Sequence, residues 1–520
     1  MVLKMVTKWA VFTLLTSFVC DAYKILVIFP VPGKSHGILG DAYVRHLLEA
    51  GHEVTYVTPF PKQDTSNLHH VNISSIKEVF NEDTIHIKAI MDKQLNFKDR
   101  GFIFELMGNI SSATVRNENV QRLLRDPKQQ FDVVIAEWMF SEMYSAIPPV
   151  FGCPLIWSSS IEPHWMITSL IDEPLNPAYN SDFMHTQIDP LTFTQRVKEL
   201  WTQLVWSYQR NFPLYDIQRI TYKNHIVPIL KEKVKSIPSF EELRYNASLV
   251  LGNSHVSLGF PTRVPQNYKG IGGYHIDTKV KPLPEDLKKI MDDSKRGVIY
   301  FSMGSNMKSK DLPVELKKSF LRMFSEFNQT VIWKFEEVLP DLPENVYIRH
   351  WAPQQSILAH PNCVLFITHG GLLSITEAIH YGVPIIGIPV FADQFRNVDT
   401  AVNKGIARKV DLSYDMDGEL NNTIREMLNN PKYRQKVKEL SLVYHDRLVP
   451  PGAELVFWVE HVIKTNGALH LRSLALHVPW YQKLYLDLLA LVIAILLAIK
   501  MLLSNIYCKI SYKSRKRKFE

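Results

Sequence analysis

The stretch CVLFITHGGLLSITEAIHYGVPIIGIPVFADQ, residues 363–394, decides the fold. Cys363 to Thr368 is a short apolar run of strand length. His369-Gly370-Gly371 breaks it. Ser374 to Tyr381 follows as a helix, Pro384 to Ile388 as a strand, and Asp393 to Lys404 as a second helix. Strand, turn and helix in alternation point to a parallel sheet with crossover helices.

The same alternation extends in both directions. Upstream lie a strand at Val298 to Ser302, a helix at Pro313 to Phe324 and a strand at Thr330 to Phe335. Near the N-terminus the pattern already runs once. Lys24 to Phe29 is a strand, and Ile38 to Ala50 is an amphipathic helix stopped by Gly51. Glu53 to Thr58, Asp132 to Ala136 and Pro154 to Ser158 are further strands. Pro261, Pro265, Pro282 and Pro284, with Gly270, Gly272 and Gly273, interrupt the pattern and mark a linker. Two α/β halves follow, each a doubly wound sheet, with a ligand cleft where the strand ends face each other. The expected organisation is a signal peptide over 1–22, an N-terminal α/β half over 23–270 and a linker over 271–284. A second α/β half over 285–450 follows, with helices over 451–480. A membrane helix over 484–507 and a basic tail over 508–520 complete the chain.

With 520 residues, 59 Lys+Arg and 52 Asp+Glu, the chain carries a net charge of +7. Lys4 and Lys8 belong to the N-terminal segment. Lys509, Lys513, Arg515, Lys516, Arg517 and Lys518 lie at the C-terminus against Glu520. The body between them has no excess charge, which argues against a nucleic-acid partner. Lys4 and Lys8 precede an apolar run from Trp9 to Val19 and small residues before Ala22, the pattern of a cleaved signal peptide. Leu484 to Tyr507 is long enough to span a bilayer, with Trp480 and Tyr481 at one interface and the basic tail beyond the other. The expectation is a single-pass protein with a lumenal body. The final Lys516-Arg517-Lys518-Phe519-Glu520 resembles a dilysine retrieval signal of the endoplasmic reticulum. Five sequons, at Asn72, Asn109, Asn246, Asn328 and Asn421, suit that side of the membrane. Four cysteines exclude a disulfide scaffold, and Cys153 and Cys363 are expected as buried free thiols.

The chemistry concentrates between Trp351 and Gln394. His369 stands at a strand tip, Gly370 and Gly371 let backbone approach a ligand, and the next helix offers its N-terminus to an anion. Ser374 and Glu377, three apart in its first turn, face one ligand, and a carboxylate suits a ribose diol. Glu377 could equally serve the helix dipole. Asp393 and Gln394 can bind sugar hydroxyls, or Asp393 can cap its helix. Trp351 offers a flat ring to a base, and Gln354 an amide; a buried core role is the alternative for the ring. In the N-terminal half, Ser35-His36-Gly37 lies between the first strand and its helix, at the mouth of the cleft. Gly33-Lys34-Ser35 ends like a phosphate-binding Walker loop, but Ile28 stands where that motif needs glycine. Asp415 and Asp417 lie in a polar loop past this cluster and are read as solvated.

As a set, W-A-P-Q from Trp351, F-I-T-H-G-G-x-x-S-x-x-E from Phe366 and P-x-x-x-x-P-x-x-x-D-Q from Pro384 resemble the UDP-glycosyltransferase signature. The arrangement is similar to the membrane-bound animal members, the insect type above all. The resemblance implies two facing Rossmann-like domains of the GT-B type, 23–270 binding the acceptor and 285–450 the UDP-sugar, with helices over 451–480 packing back on the N-terminal domain, plus one C-terminal transmembrane helix. It implies a UDP-sugar donor, a small lipophilic acceptor, no metal or other cofactor, and room for a homo-oligomer. Trp351 would stack on uracil, with Gln354 at the base or ribose. His369, Gly371 and the backbone near Ser374 would hold the diphosphate, joined by Gly304 and Ser305. Glu377 would bind the ribose, and Asp393 and Gln394 the sugar. Leu373 replaces the Asn of many members. His36 aligns with the catalytic base, and Glu137 stands where most relatives have Asp, to hold the imidazole. Thr262 after Phe260-Pro261, where glucuronate-using relatives carry Arg, favours glucose. The implied reaction is inverting transfer of a hexose, for conjugation or detoxification. A glucuronosyltransferase and a catalytically impaired nucleotide-sugar-binding protein are the alternatives.

Overall fold

A computed structural model describes residues 22–79, 87–92, 100–185, 190–211, 213–305 and 307–516. The expected signal peptide up to residue 21 and the end of the dilysine motif lie outside them. The described residues form two compact units, residues 1–472 and 473–520.

The first unit contains two parallel sheets. One joins β1 (Lys24–Ile28), β2 (Glu53–Thr58), β3 (Leu68–Asn72), β4 (Val133–Trp138), β5 (Leu155–Ser159), β6 (Leu249–Gly252) and β7 (Tyr268–Gly270), in the order β3-β2-β1-β4-β5-β6-β7. The other joins β8 (Val298–Ser302), β9 (Thr330–Lys334), β10 (Val346–Arg349), β11 (Cys363–Thr368), β12 (Ile385–Gly387) and β13 (Ala407–Lys409), in the order β10-β9-β8-β11-β12-β13. In each sheet the strand order reverses at one place, between β1 and β4 and between β8 and β11. Crevices for ligands open there, beyond the carboxyl ends of the strands.

The central strands are apolar because both faces are covered. In β1, Leu26 and Ile28 join one core, and Ile25 and Val27 join the other. In β8, Ile299 and Phe301 point one way, and Val298 and Tyr300 the other.

The helices that line the cleft are α1 (Lys34–Glu49), α2 (Arg100–Arg116), α3 (Leu372–Tyr381) and α4 (Gln394–Asn403), and α5 (Pro451–Lys464) packs on the core of the N-terminal half. In α5, Leu455, Val459 and Val462 recur at helical spacing and are buried with Ile25, Val27, Leu47 and Tyr274 in one core. Ile271 and Tyr274, from the segment read as linker, lie in that core too.

Three local expectations shift. α1 begins at Lys34, so Ser35, His36 and Gly37 form its first turn instead of preceding it. Its N-cap is Gly33, which makes no side-chain cap, so the usual Ser or Asp start signal is missing. Glu137 lies inside β4, one residue before its end. α3 begins at Leu372, which leaves Ser374 in the first turn but moves Glu377 to the second.

The second unit contains α6 (Leu486–Lys516). Its stretch Leu486–Lys513 is long and apolar enough to cross a membrane. At ~1.5 Å per residue its 28 residues span well over the ~30 Å of a hydrocarbon core. The helix starts two residues after the expected boundary and continues through Cys508 into the basic tail.

Cys153, Cys363 and Cys508 carry free thiols. Burial pushes the thiols of Cys153 and Cys363 up to about 12. Both are protonated and unreactive at neutral pH. Cys153 is half-buried, not buried as expected.

Candidate active site

β1 ends at Ile28, and the chain enters α1 two residues before His36. β4 runs beside β1 and delivers Glu137 to the same switch point. His36 Nδ1 lies 2.5 Å from Glu137 Oε1. The Glu137 side chain is fully buried, while His36 keeps 17% of its side-chain surface. An ionised carboxylate only accepts, so Nδ1 is the donor and Nε2 faces the cleft. Ser160 Oγ donates to the same Oε1 at 2.5 Å and fixes the carboxylate from behind. Burial pulls the His36 pKa down, but the charge and hydrogen bond of Glu137, aided by Asp393, outweigh it and raise the value. The longer carboxylate therefore does reach the imidazole.

The facing half supplies the second cluster at its own switch point. His369 follows β11, and Gly304 follows β8. The His369 ring lies against both turns. A Cβ added at Gly304 would stand 2.4 Å from His369 Cε1, and one at Gly371 would stand 2.6 Å from Nε2. Gly304 also has φ +85, the left-handed region that disfavours side chains. Burial, with Lys334 nearby, pushes the His369 pKa down to about 4. The ring is neutral at physiological pH and can donate a hydrogen bond but no charge. Gly371 caps α3 without a side-chain bond, so the first N–H groups of that helix stay open to an anion. Ser305 lines the cleft beside Gly304.

Glu377 is buried and held by amides. Gln354 Nε2 donates to Oε2 at 2.5 Å and to Ser374 Oγ at 3.1 Å, and Gln355 Nε2 donates to Oε1 at 3.1 Å. Each carboxylate oxygen accepts one of these bonds and has the capacity for a second, so a diol still finds acceptors. Trp351 is 53% exposed at the cleft, which excludes a core role. Asp393 occupies the N-cap position of α4 but makes no cap bond; its Oδ2 accepts from Asn397 Nδ2 at 2.8 Å. Burial raises its pKa, against the pull of Asn397 and of His36 across the cleft. Gln394 Oε1 accepts from the Val390 and Phe391 N–H groups at 2.9 and 3.1 Å, so only its NH2 remains for a ligand.

A family model described as UDP-glucoronosyl and UDP-glucosyl transferase matches residues 33–518. The chain belongs to this family. The UDP-glycosyltransferase UGT5 of Dactylopius coccus is 33% identical over 94% of this chain and 92% of its own length. UDP-glucosyltransferase 2 of the same insect is 32% identical, covering 92% and 91%. UDP-glucuronosyltransferase 2B9 of Macaca fascicularis is 31% identical, covering 75% and 72%. Among solved structures, the glycotransferase of kitacinnamycin superposes with a TM-score of 0.56 at 17% identity, over 85% of this chain and 99% of that one. The UDP-glucosyltransferase of Polygonum tinctorium gives 0.55 at 16%, over 85% and 99%. These solved structures establish the fold: two Rossmann-like halves of the GT-B type. The chain is a UDP-glycosyltransferase that uses a UDP-sugar donor.

In this glycosyltransferase the two clusters line one cleft of about 780 Å³. That lies toward the upper end of the ~300–1,000 Å³ of small-ligand pockets. On the His36 side its apolar wall includes Phe102, Ile103, Leu106 and Met107 of α2, Ile38 and Leu39 of α1, and Met139 and Phe140 after β4. The segment 160–245, expected to form that wall, adds Ser160, Ile161 and Phe183. Leu373 also lines the cleft and packs against the N-terminal core, so the position often held by Asn is an apolar contact.

Sequence reasoning missed Ser160, Gln355, Lys334 and His275. Gln355 follows Gln354 directly, which was the available signal. His275 Nε2 stands 3.5 Å from Glu377 Oε1 without hydrogen-bond geometry, and nothing in its local sequence marks it. Asn72, Asn109, Asn246 and Asn328 are exposed. Asn421 is half-buried in a helix, with its amide bonded to Glu326 and Arg425.

Proposed function

We propose that this enzyme transfers glucose, with inversion, from UDP-glucose to a hydroxyl of a small lipophilic acceptor. The observation that carries the proposal is the His36–Glu137 pair, held at 2.5 Å and facing the donor cluster across one cleft. His36 Nε2 takes the acceptor proton as the acceptor oxygen bonds to the anomeric carbon. The bond from that carbon to the diphosphate oxygen breaks, and UDP leaves with the electron pair. The first turn of α3 and the His369 N–H meet the developing charge. Glu137 keeps the proton on Nδ1 and stabilises the imidazolium. This chemistry calls for no metal.

Glucose is favoured by charge. Asp393, read as the sugar ligand, would repel a glucuronate carboxylate. Arg263 is exposed, and Thr262 lines a smaller cavity with Glu162 and Arg396. The apolar wall on the His36 side supports a lipophilic acceptor. We place the enzyme at the endoplasmic-reticulum membrane, anchored by α6 with the cleft in the lumen, in conjugation or detoxification. The test is turnover of UDP-glucose against UDP-glucuronate on microsomes, with phenols as acceptors. The expected result is a β-linked glucoside and at least tenfold preference for UDP-glucose. Preference for UDP-glucuronate would overturn the donor assignment.

A further inference from the structure

Lys34 sits two residues before His36, in the first turn of α1, and belongs to the acceptor half. Its Nζ stands 4.9 Å from the centroid of the Trp351 ring, which belongs to the donor half. The contact therefore crosses the cleft. Gly33 and Ser35, on either side of Lys34, both line the cleft.

A nucleotide diphosphate brings at least two negative charges into this cleft, and the cations already there are engaged. Arg45 and Lys281 are paired with Asp277, Lys62 with Asp41 at 2.6 Å, and Lys334 with Glu336 at 2.6 Å. His369, which sequence reasoning sets against the diphosphate, is neutral at physiological pH. The N-terminus of α3 supplies only partial charge. Among the described residues, Lys34 is the cation at this cleft with no carboxylate within ion-pair distance. Its contact with Trp351 is an exposed cation–π pair, weak enough to exchange for a stronger anion partner.

We propose that Lys34 is a donor-site residue: it rests over the Trp351 ring in the free enzyme and pairs with the diphosphate when the UDP-sugar binds. The glycine spacing of a Walker loop is absent here, yet the lysine that suggested one has a phosphate to meet. Because it comes from the acceptor half, the ion pair draws the two halves together over the donor and sets His36, two residues further along α1, against the sugar. The inference rests on the donor cluster binding UDP as proposed above.

The test is calorimetric binding of UDP and of uridine to the full-length enzyme and to its Lys34→Met and Lys34→Arg variants. Lys34 is exposed, so neither substitution disturbs the core. The expected result for Lys34→Met is about a tenfold loss of UDP affinity, as for a lost charge-assisted bond, with uridine affinity unchanged or tighter. Lys34→Arg should recover most of the loss. Equal weakening of UDP and uridine, or no change in either, would overturn the role of Lys34. Failure of the unaltered enzyme to bind UDP would instead overturn the donor-site reading on which it rests.

Discussion

At His36 two opposed influences meet. Burial disfavours the imidazolium, and the Glu137 carboxylate at 2.5 Å favours it. The carboxylate wins, so the imidazole holds its proton to higher pH than a free histidine. A base works when unprotonated, so the rate should fall as pH drops through this raised pKa. Glu137→Gln removes both the charge and the fixed acceptor. The acid limb of the pH–rate profile should then move to lower pH, while the plateau falls by about 10²-fold or more. An unmoved limb would mean that Glu137 does not govern His36. The dyad was legible through the family resemblance, which aligns His36 with the base and sets Glu137 where most relatives have Asp. Ser160 was not, because a serine after a strand carries no distinguishing pattern. The charge state of His369 was likewise hidden: burial decides it, and burial depends on turns that are distant in sequence.

The elements that hold the site were read best where both faces are covered. β8 and β11 have the bounds expected from their apolar runs. β6 and the edge strands β3, β7, β10 and β13 escaped notice. The edge strands are short and half-exposed, as in Ala407–Lys409, and β6 is buried but only four residues long, so hydrophobic pattern barely marks any of them. The start of α1 was misplaced because glycine, not a polar cap, precedes it. The turns after β8 and β11 interlock through the His369 ring. Gly304→Ala puts a Cβ 2.4 Å from that ring at φ +85. It should cost roughly 1–3 kcal/mol of stability and weaken UDP binding. Gly418→Ala is the control: it lies in a helix with open space around its Cβ position and should gain about 0.5–1 kcal/mol. Thermal unfolding of the two variants checks both signs, and equal midpoints would contradict the interlock.

At the scale of the whole molecule, the contacts that close the cleft lie between residues far apart in sequence. Arg45 of α1 pairs with Asp277. Arg396 of α4 donates to Ser181 Oγ and to the carbonyls of Asp182 and His185. No local pattern announces such pairs, so the alternation of strands and helices revealed two halves but not how they engage. The acceptor wall shows the same limit: α1, α2 and the turn after β4 all contribute to it, and a helical pattern gives no sign of facing a cleft rather than a core. Both halves nevertheless bring their switch points to one space, with the base on one side and the nucleotide cluster on the other. The most direct test of that arrangement compares UDP release from UDP-glucose, with a phenol acceptor, by the enzyme and by its His36→Ala variant, after UDP affinity has been measured for both. Equal UDP affinity is expected, with transfer reduced by at least about 10²-fold in the variant. Transfer by His36→Ala at the unaltered rate would contradict the role of His36 as the base.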